Sequence, residues 1–416
     1  MEISKKAFVR DMIINMIATA IPVAVLNIVI YPLLASRIST DDYGTMSTCV
    51  GLFSFVNGVW GLSISQTRLL DKSKDLIQKN YSVLLCACAM FAVVMNTLML
   101  IITGCFVSNI NVIMLSVCVL LNTLNAYLIV EYRIVLSYSK ILISNVLLSV
   151  GYFIGFGMFA LTGFSRWEWI FVFGYGLMAI FNLLSTRIWR SKLNKDERFG
   201  AIAKSTSILV LSSAISGSST YLDKFVIYPM LGPTIMAYYQ TASLIAKVIP
   251  MFAGAISNVI LSYLVKLKII TKKTFLLFVA ILIAIAAVGL VICNIVVNPV
   301  IKFLYPTYYE FCYPIVPYTN VIAILSMIYY FLLPLSLRYA KRSMQYVIQL
   351  GRLIPYIVLT FILFNLFGLY GFCYATMISQ FIQISLVIVV TFRAITSVKK
   401  QEIKTDVKPE NETCDL

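Results

Sequence analysis

Long apolar stretches, separated by short polar segments, run along almost the whole chain. Each stretch is about 20 residues or longer, which is the length that a helix needs to cross the hydrocarbon core of a bilayer. The stretches are continuous rather than alternating, so the pattern predicts membrane-spanning helices and not a β-barrel. Twelve spans are predicted, at residues 12–35, 43–64, 81–106, 111–131, 141–162, 168–188, 206–231, 235–264, 274–297, 313–336, 345–367 and 369–392.

Composition supports this interpretation. Of the 416 residues, 60% are hydrophobic and 12% are charged, against about 45–50% and 25% in a soluble globular chain. The mean hydropathy is +0.92. We therefore expect an all-α polytopic membrane protein without a separate soluble catalytic domain.

The net charge of +16 is explained by where the basic residues fall. With the N-terminus in the cytoplasm, 28 of the 33 Lys and Arg residues lie in cytoplasmic segments, among them Arg68 and Arg352. The outward segments hold only Arg37, Arg166 and Lys302. This asymmetry predicts that both termini are cytoplasmic. The charge thus indicates topology and does not indicate a nucleic-acid partner.

A short repeat relates the two halves of the chain. The segment Ile-Tyr-Pro-Leu-Leu at 30–34 recurs as Ile-Tyr-Pro-Met-Leu at 227–231. Six predicted spans precede the basic central segment and six follow it, so the halves share one orientation and predict two lobes with a site between them. The predicted regions are an N-terminal six-helix lobe (1–190), a cytoplasmic linker (191–205), a C-terminal six-helix lobe (206–396) and a disordered cytoplasmic tail (397–416).

Several kinds of chemistry find no support in the sequence. The chain contains no histidine, and it lacks the glycine-rich phosphate loop of ATP-binding proteins. Most of its nine cysteines lie within spans, where cysteine behaves as a small apolar residue. We therefore expect no catalytic residues, no metal and no cofactor. Gly151 and Gly155 form a GxxxG pair, which predicts close helix packing inside the protein.

Ionisable residues inside a membrane are costly and are candidates for function. Asp223 and Lys224 lie in the seventh span, and Lys247 lies in the eighth. Because neighbours on a helix point about 100° apart, we expect Asp223 and Lys224 to occupy different faces. Asp223 either pairs with a lysine and ties two helices together, or leaves both lysines to line a polar cavity. Two ammonium groups against one carboxylate would suit an anionic substrate such as a diphosphate.

Four neutral or peripheral residues complete the predicted substrate site. Asn27, Asn57 and Gln240 offer hydrogen bonds either to sugar hydroxyls or between helices. Arg37, near the outer rim, suits either a substrate phosphate or a lipid headgroup.

Four motifs resemble one known family. They are Tyr-Pro-Leu-Leu-Ala-Ser-Arg at 31–37 with Asp-Tyr-Gly at 42–44, Leu-Asp-Lys at 222–224, Phe-Leu-Tyr-Pro at 303–306, and Gly-Leu-Tyr-Gly at 368–371. Pro306 stands where the family more usually has glycine. Together the motifs resemble the Wzx-type polysaccharide flippases, which export O-antigen or capsule repeat units and belong to the MATE-like MOP exporter superfamily.

The resemblance implies a two-lobe transporter in a bacterial inner membrane. Its substrate would be an undecaprenyl-diphosphate-linked oligosaccharide, moved by alternating access from the cytoplasmic to the periplasmic leaflet among the membrane lipids. A gradient of H⁺ or Na⁺ could drive export, and Asp223 is the carboxylate suited to couple to it. A polysaccharide polymerase would be a partner.

Two rival functions remain open from the sequence. A MATE-like antiporter of small molecules or drugs would share the architecture, but would favour an acidic cavity for its cations. An O-antigen polymerase is the enzymatic rival. The three basic residues of the short outward segments weigh against it, because such enzymes carry a large basic outward loop.

Overall fold

The computed structural model describes residues 5–70, 79–106, 109–163, 165–190, 197–264, 271–340 and 342–406. These residues form thirteen α-helices and two short irregular helical turns, a π-helical turn at Val25–Ile30 and a 3₁₀ turn at Ile188–Arg190. The helices are α1 (Lys5–Ala24), α2 (Tyr31–Ala35), α3 (Thr40–Val59), α4 (Gly61–Leu70), α5 (Lys79–Thr103), α6 (Asn109–Ile134), α7 (Tyr138–Leu161), α8 (Glu168–Ser185), α9 (Phe199–Leu264), α10 (Lys272–Leu304), α11 (Tyr309–Cys312), α12 (Val316–Tyr339) and α13 (Arg342–Asp406).

Ten helical segments of the described chain are long and apolar enough to cross a membrane. Two helices, α9 and α13, each contain two of the predicted spans and reverse direction at a glycine with positive φ, Gly232 (83°) and Gly368 (57°). Glycine adopts this backbone without steric cost. Because each predicted span coincides largely with one or more helices, the prediction of an all-helical polytopic membrane protein is confirmed.

Contacts between Cα atoms divide the chain into unit 1 (Met1–Gln240) and unit 2 (Thr241–Leu416). In unit 1, the tightest helix contact is between α7 and α8. A methyl group built on Gly155 would lie 2.5 Å from the Trp169 carbonyl oxygen, and one built on Gly151 would lie 2.6 Å from that of Phe173. The GxxxG pair therefore packs within the chain, as the sequence predicts, because only glycine admits such close backbones.

A buried amide joins three helices of unit 1. The Asn182 side chain of α8 donates to Asn125 of α6 at 2.9 Å and accepts from Ser144 of α7, also at 2.9 Å. Within the described residues its relative exposure is zero. Hydrogen bonds of this kind replace the hydrophobic effect as the force between helices in lipid.

The first arm of α9 runs antiparallel to α3 and α4 along their length. As the residue number increases along α3 and α4, the number of the contacting residue on α9 decreases. They join Thr45 to Tyr228 (3.0 Å), Phe55 to Tyr221 (ring centroids 5.8 Å), Ser63 to Ser213 (3.1 Å) and Thr67 to Thr206 (3.0 Å). The seventh predicted span thus forms one wall of unit 1.

Unit 2 contains the end of α9 together with α10, α11, α12 and the two arms of α13. Its apolar core includes Phe275 and Leu282 of α10, Leu332 of α12, and Ile348 and Val387 of α13. Large apolar side chains on the outer faces of these helices, such as those of α10, remain exposed. Such exposure is expected of helices that face lipid.

Two basic residues do not lie where the positive-inside pattern placed them. Arg68 belongs to α4, where its residue is 1% exposed, and its guanidinium lies over the ring of Tyr81. Arg352 lies within α13, inside the spanning segment Met344–Thr396. Both were assigned to cytoplasmic loops because charge alone does not distinguish a loop from a helix end whose neighbours bury the charge.

The predicted disordered tail is also corrected in part. Helix α13 continues to Asp406, so residues 397–406 are helical, and residues 407–416 lie outside the described chain. Of the predicted linker, residues 191–196 likewise lie outside it, and α9 begins at Phe199. The assignment of two six-helix lobes stays a prediction.

The glycine contact between α7 and α8 can be tested with a matched pair of substitutions. Gly155→Ala places a methyl group against backbone atoms of α8, whereas Gly157→Ala on the same helix meets no atom within 4 Å. Both changes gain helix propensity equally, about 0.5–1 kcal/mol. We expect Gly155→Ala to lower the thermal unfolding midpoint, with a cost of about 1–3 kcal/mol, and Gly157→Ala to leave it equal or higher. Equal midpoints for the two variants would refute the close contact.

Candidate functional site

Lys224 is a buried cation within unit 1. Its residue is 3% exposed, and its Nζ donates a hydrogen bond to Oε1 of Gln240 at 2.7 Å. Sixteen residues of straight helix would separate these two positions by about 24 Å. The reversal of α9 at Gly232 is therefore what brings Gln240 alongside Lys224.

Asp223 lies next to Lys224 and is 5% exposed. Its Oδ2 is 3.3 Å from Lys224 Nζ, and its Oδ1 accepts from the Lys224 backbone N–H at 3.0 Å. The two positions are about 100° apart on the helix, and the long lysine stem still allows its Nζ to approach the neighbouring carboxylate. Lys224 and Asp223 thus form an ion pair within one arm of α9, so the pair does not by itself tie two helices together.

The surface of α3 is shaped to receive the lysine stem. A methyl group built on Gly51 would lie 2.8 Å from Cε and 2.9 Å from Cγ of Lys224. Four residues on, the Phe55 ring packs edge-on to Phe225 at 5.9 Å between centroids. Gly51 therefore provides the space in which the buried side chain lies.

A hydroxyl lies one helical turn beyond the ion pair. The Tyr228 hydroxyl is 3.0 Å from Thr45 Oγ1 and also bonds to the Cys105 thiol, which follows α5. Close by, Gly44 lies against the backbone of Pro233, and Thr234 bonds to Asp41. These contacts attach the start of α3 to the turn of α9, next to the arm of α9 that carries Lys224.

The remaining predicted residues of unit 1 do not join this cluster through any described contact. Asn27 donates to the Val23 carbonyl at 2.8 Å within its own helix. Asn57 lies in α3, and its buried Oδ1 has no hydrogen-bond partner among the described residues. Arg37 is exposed after α2. The structure therefore brings together Asp223, Lys224 and Gln240.

Lys247 belongs to unit 2, on the second arm of α9. It is exposed, in contrast to Lys224. No group of three or more potential metal ligands occurs among the described residues.

The sequence reasoning missed one polar cluster, which lies in unit 2 and includes Arg352. The signal was present as spacing, since Gln345, Gln349 and Arg352 recur at four and three residues, and Gln380 and Gln383 at three. Such spacing places polar groups on one face of a helix. The cluster was missed because the long apolar stretches around these residues dominate the pattern of the spans.

The chemistry of the Lys224 cluster is that of recognition. An ammonium in a low-dielectric interior binds an anion more strongly than it does in water. Its two partners, an amide oxygen and a carboxylate, are acceptors that an anionic ligand would replace. The cluster holds no pairing of a nucleophile with a base of the kind that covalent catalysis requires.

No protein-family model and no curated protein matches the chain. The structure is nevertheless similar to several solved structures of transporters. One is the lipid II flippase MurJ in an inward closed conformation, with a TM-score of 0.68 and 17% identity over 96% of this chain and 94% of that one. Another is an inward-facing multidrug resistance MATE family transporter of the MOP superfamily, with a TM-score of 0.64 and 12% identity over 93% and 99%.

A third similar structure is the eukaryotic MATE transporter AtDTX14, with a TM-score of 0.57 and 12% identity over 95% of this chain and 99% of that one. At such identities the likeness concerns the fold. The chain therefore has a fold similar to those of the MurJ and MATE structures.

Proposed function

We propose that the chain is a flippase for undecaprenyl-diphosphate-linked oligosaccharide repeat units of O-antigen or capsule. It would move them from the cytoplasmic to the periplasmic leaflet of a bacterial inner membrane by alternating access, with a polysaccharide polymerase as its partner. The fold supports a transporter, and the MurJ structure is described as a lipid II flippase. The sequence motifs around Asp42 and Asp223 narrow the proposal to the Wzx type.

The observation that carries the proposal is the buried ammonium of Lys224. A lysine is rarely enclosed in a membrane protein without a function. Here Gly51 leaves room for its stem and Gln240 accepts from its head. An incoming diphosphate would replace the Gln240 amide and weaken the Asp223 pair. Lys247 and Arg37 would add positive charge, and Asn27 and Asn57 hydrogen bonds to sugar hydroxyls.

Asp223 is the carboxylate that we propose couples transport to H⁺ or Na⁺. It is buried and lies 3.3 Å from Lys224 Nζ, so a cation that binds the carboxylate would compete with the ammonium. Release of Lys224 from Asp223 would then free it for an anion. Coupling and substrate binding would share one ion pair.

A MATE-like antiporter of cationic small molecules is the second candidate. The likeness to MATE structures favours it, with Asp223 as the cation-binding group. The buried lysine beside that carboxylate disfavours it, since it repels cations. An antiporter would confer resistance to cationic drugs that depends on Asp223, whereas the flippase would not.

Three variants separate a binding role of Lys224 from a structural one. Lys224→Gln removes the ammonium, Asp223→Asn removes its partner, and the double variant removes both charges. If the ammonium binds substrate, Lys224→Gln and the double variant should each lower transport by about 10-fold or more, the value of one charge-assisted hydrogen bond. The measurement is accumulation of undecaprenyl-diphosphate oligosaccharide on the inner leaflet of a complemented deletion strain.

The exposed Lys302 provides the control, because Lys302→Gln removes a lysine at the end of α10. Protein levels in the membrane are measured for every variant. Full transport by the double variant would show that the pair is structural only and would contradict the proposed role of Lys224.

Gly51 offers a second test of the same site without any change of charge. Gly51→Ala must displace the Lys224 stem, whose atoms lie within 3 Å of the new methyl group, whereas Gly58→Ala on the same helix meets no atom within 4 Å. We expect transport to fall about 10-fold in Gly51→Ala, because the displaced ammonium of Lys224 no longer forms its hydrogen bond with the substrate. Gly58→Ala should transport normally, and equal transport by the two variants would argue against the site.

A further inference from the structure

Arg352 is a partly buried cation of unit 2, and its Nε atom is buried. It lies eight residues into the spanning segment that begins at Met344, about 12 Å along the helix axis. A long basic side chain so placed ordinarily extends towards the headgroups. Arg352 instead reaches across to the other arm of α13, where its Nη1 donates to Oε1 of Gln383 at 3.5 Å.

The groups around Arg352 are neutral. Gln383 donates to Gln349 at 3.5 Å, and Gln349 donates to the Tyr329 hydroxyl at 2.9 Å. The phenol groups of Tyr356, Tyr329 and Tyr330 also lie close enough to interact electrostatically with the guanidinium. These groups solvate a positive charge in part but do not cancel it.

Among the residues of unit 2 that the structure describes, no carboxylate lies beside Arg352 to cancel its charge. Between residues 241 and 401 the single acidic residue is Glu310. It lies in α11, before α12 begins, whereas Arg352 lies at the level of Tyr329, thirteen residues into α12. That separation is about 20 Å along the helix axis. An uncompensated charge in a low-dielectric interior costs several kcal/mol, so Arg352 calls for an anion.

The guanidinium nitrogens that Gln383 does not engage indicate which kind of anion would bind. Nη1 is engaged by Gln383, while the buried Nε makes no hydrogen bond with any described residue. Nε and Nη2 together form the two-pronged edge that binds two oxygens of one carboxylate or phosphate. The tyrosine hydroxyls nearby are donors for further oxygens, which favours a phosphoryl group.

We propose that Arg352 is the centre of a phosphoryl-binding site within unit 2, bounded by Gln383, Tyr356 and Tyr329. The phosphoryl group comes either from a phospholipid headgroup or from a diphosphate. The site is formed by residues of unit 2 alone, so it stands apart from the proposed role of Lys224.

Binding of radiolabelled pyrophosphate to the purified full chain in a maltoside detergent, which contains no phosphate, tests the site. Lys224→Gln serves as the background, so that the transport site proposed above does not contribute. In that background we expect saturable binding, lost in Arg352→Gln by about 10- to 100-fold, the value of a charge-assisted pair of hydrogen bonds. Arg352→Lys keeps the charge but loses the two-pronged edge, and should bind about 10-fold more weakly.

Lys302→Gln in the same background is the control and should bind as the background does. Competition by phosphatidylglycerol identifies the source. If the lipid displaces pyrophosphate, the site takes headgroups as well, and if it does not, the site selects a diphosphate. Absence of saturable binding overturns the proposal, as does unchanged binding in Arg352→Lys and Arg352→Gln. If Arg352→Gln fails to fold, the comparison of Arg352→Lys with the background still tests the proposal, because Arg352→Lys retains the charge.

Discussion

A charge that is enclosed in a membrane protein must be satisfied by the protein itself, and Lys224 shows how much of unit 1 serves that requirement. The ammonium needs an acceptor, which is Gln240, and Gln240 arrives there because α9 reverses at Gly232. The stem needs space, which Gly51 of α3 leaves. The charge needs compensation, which Asp223 supplies. These groups are kept in place by the antiparallel packing of α9 on α3 and α4. The turn of α9 beside Pro233 contributes to the same packing.

Unit 2 encloses a positive charge in a different way. Arg352 has amides and phenols around it instead of a carboxylate, and the acidic residue of α11 lies at the other end of α12. The two units thus differ in polarity as well as in sequence. Unit 1 holds an ion pair, whereas unit 2 holds a permanently charged group, since arginine does not lose its proton in proteins.

Much of the fold was predictable because a bilayer imposes a length and a periodicity that few sequences satisfy by chance. The predicted spans coincide largely with helices, and the Gly151–Gly155 pair packs inside the chain as expected. The positions of Arg68 and Arg352 were predicted wrongly for a physical reason. The positive-inside rule counts charges by their distance from a span, whereas burial depends on which neighbours face the side chain. Helical spacing of Gln345, Gln349 and Arg352 was the signal in the sequence that pointed to the polar cluster of unit 2.

The sequence by itself determined that the chain is helical, with segments long and apolar enough to cross a membrane, because apolar length is a property of single segments. Only the tertiary structure decided which ionisable residues meet. Asp223 and Lys224 were expected on different helix faces, yet the lysine stem lets them pair, and Gln240 joins them across a turn. The expectation that Lys247, which belongs to unit 2, lines the same cavity stays a prediction. Side chains are brought together by helix reversals and close approaches at glycine, and these depend on the packing of whole helices rather than on any local pattern.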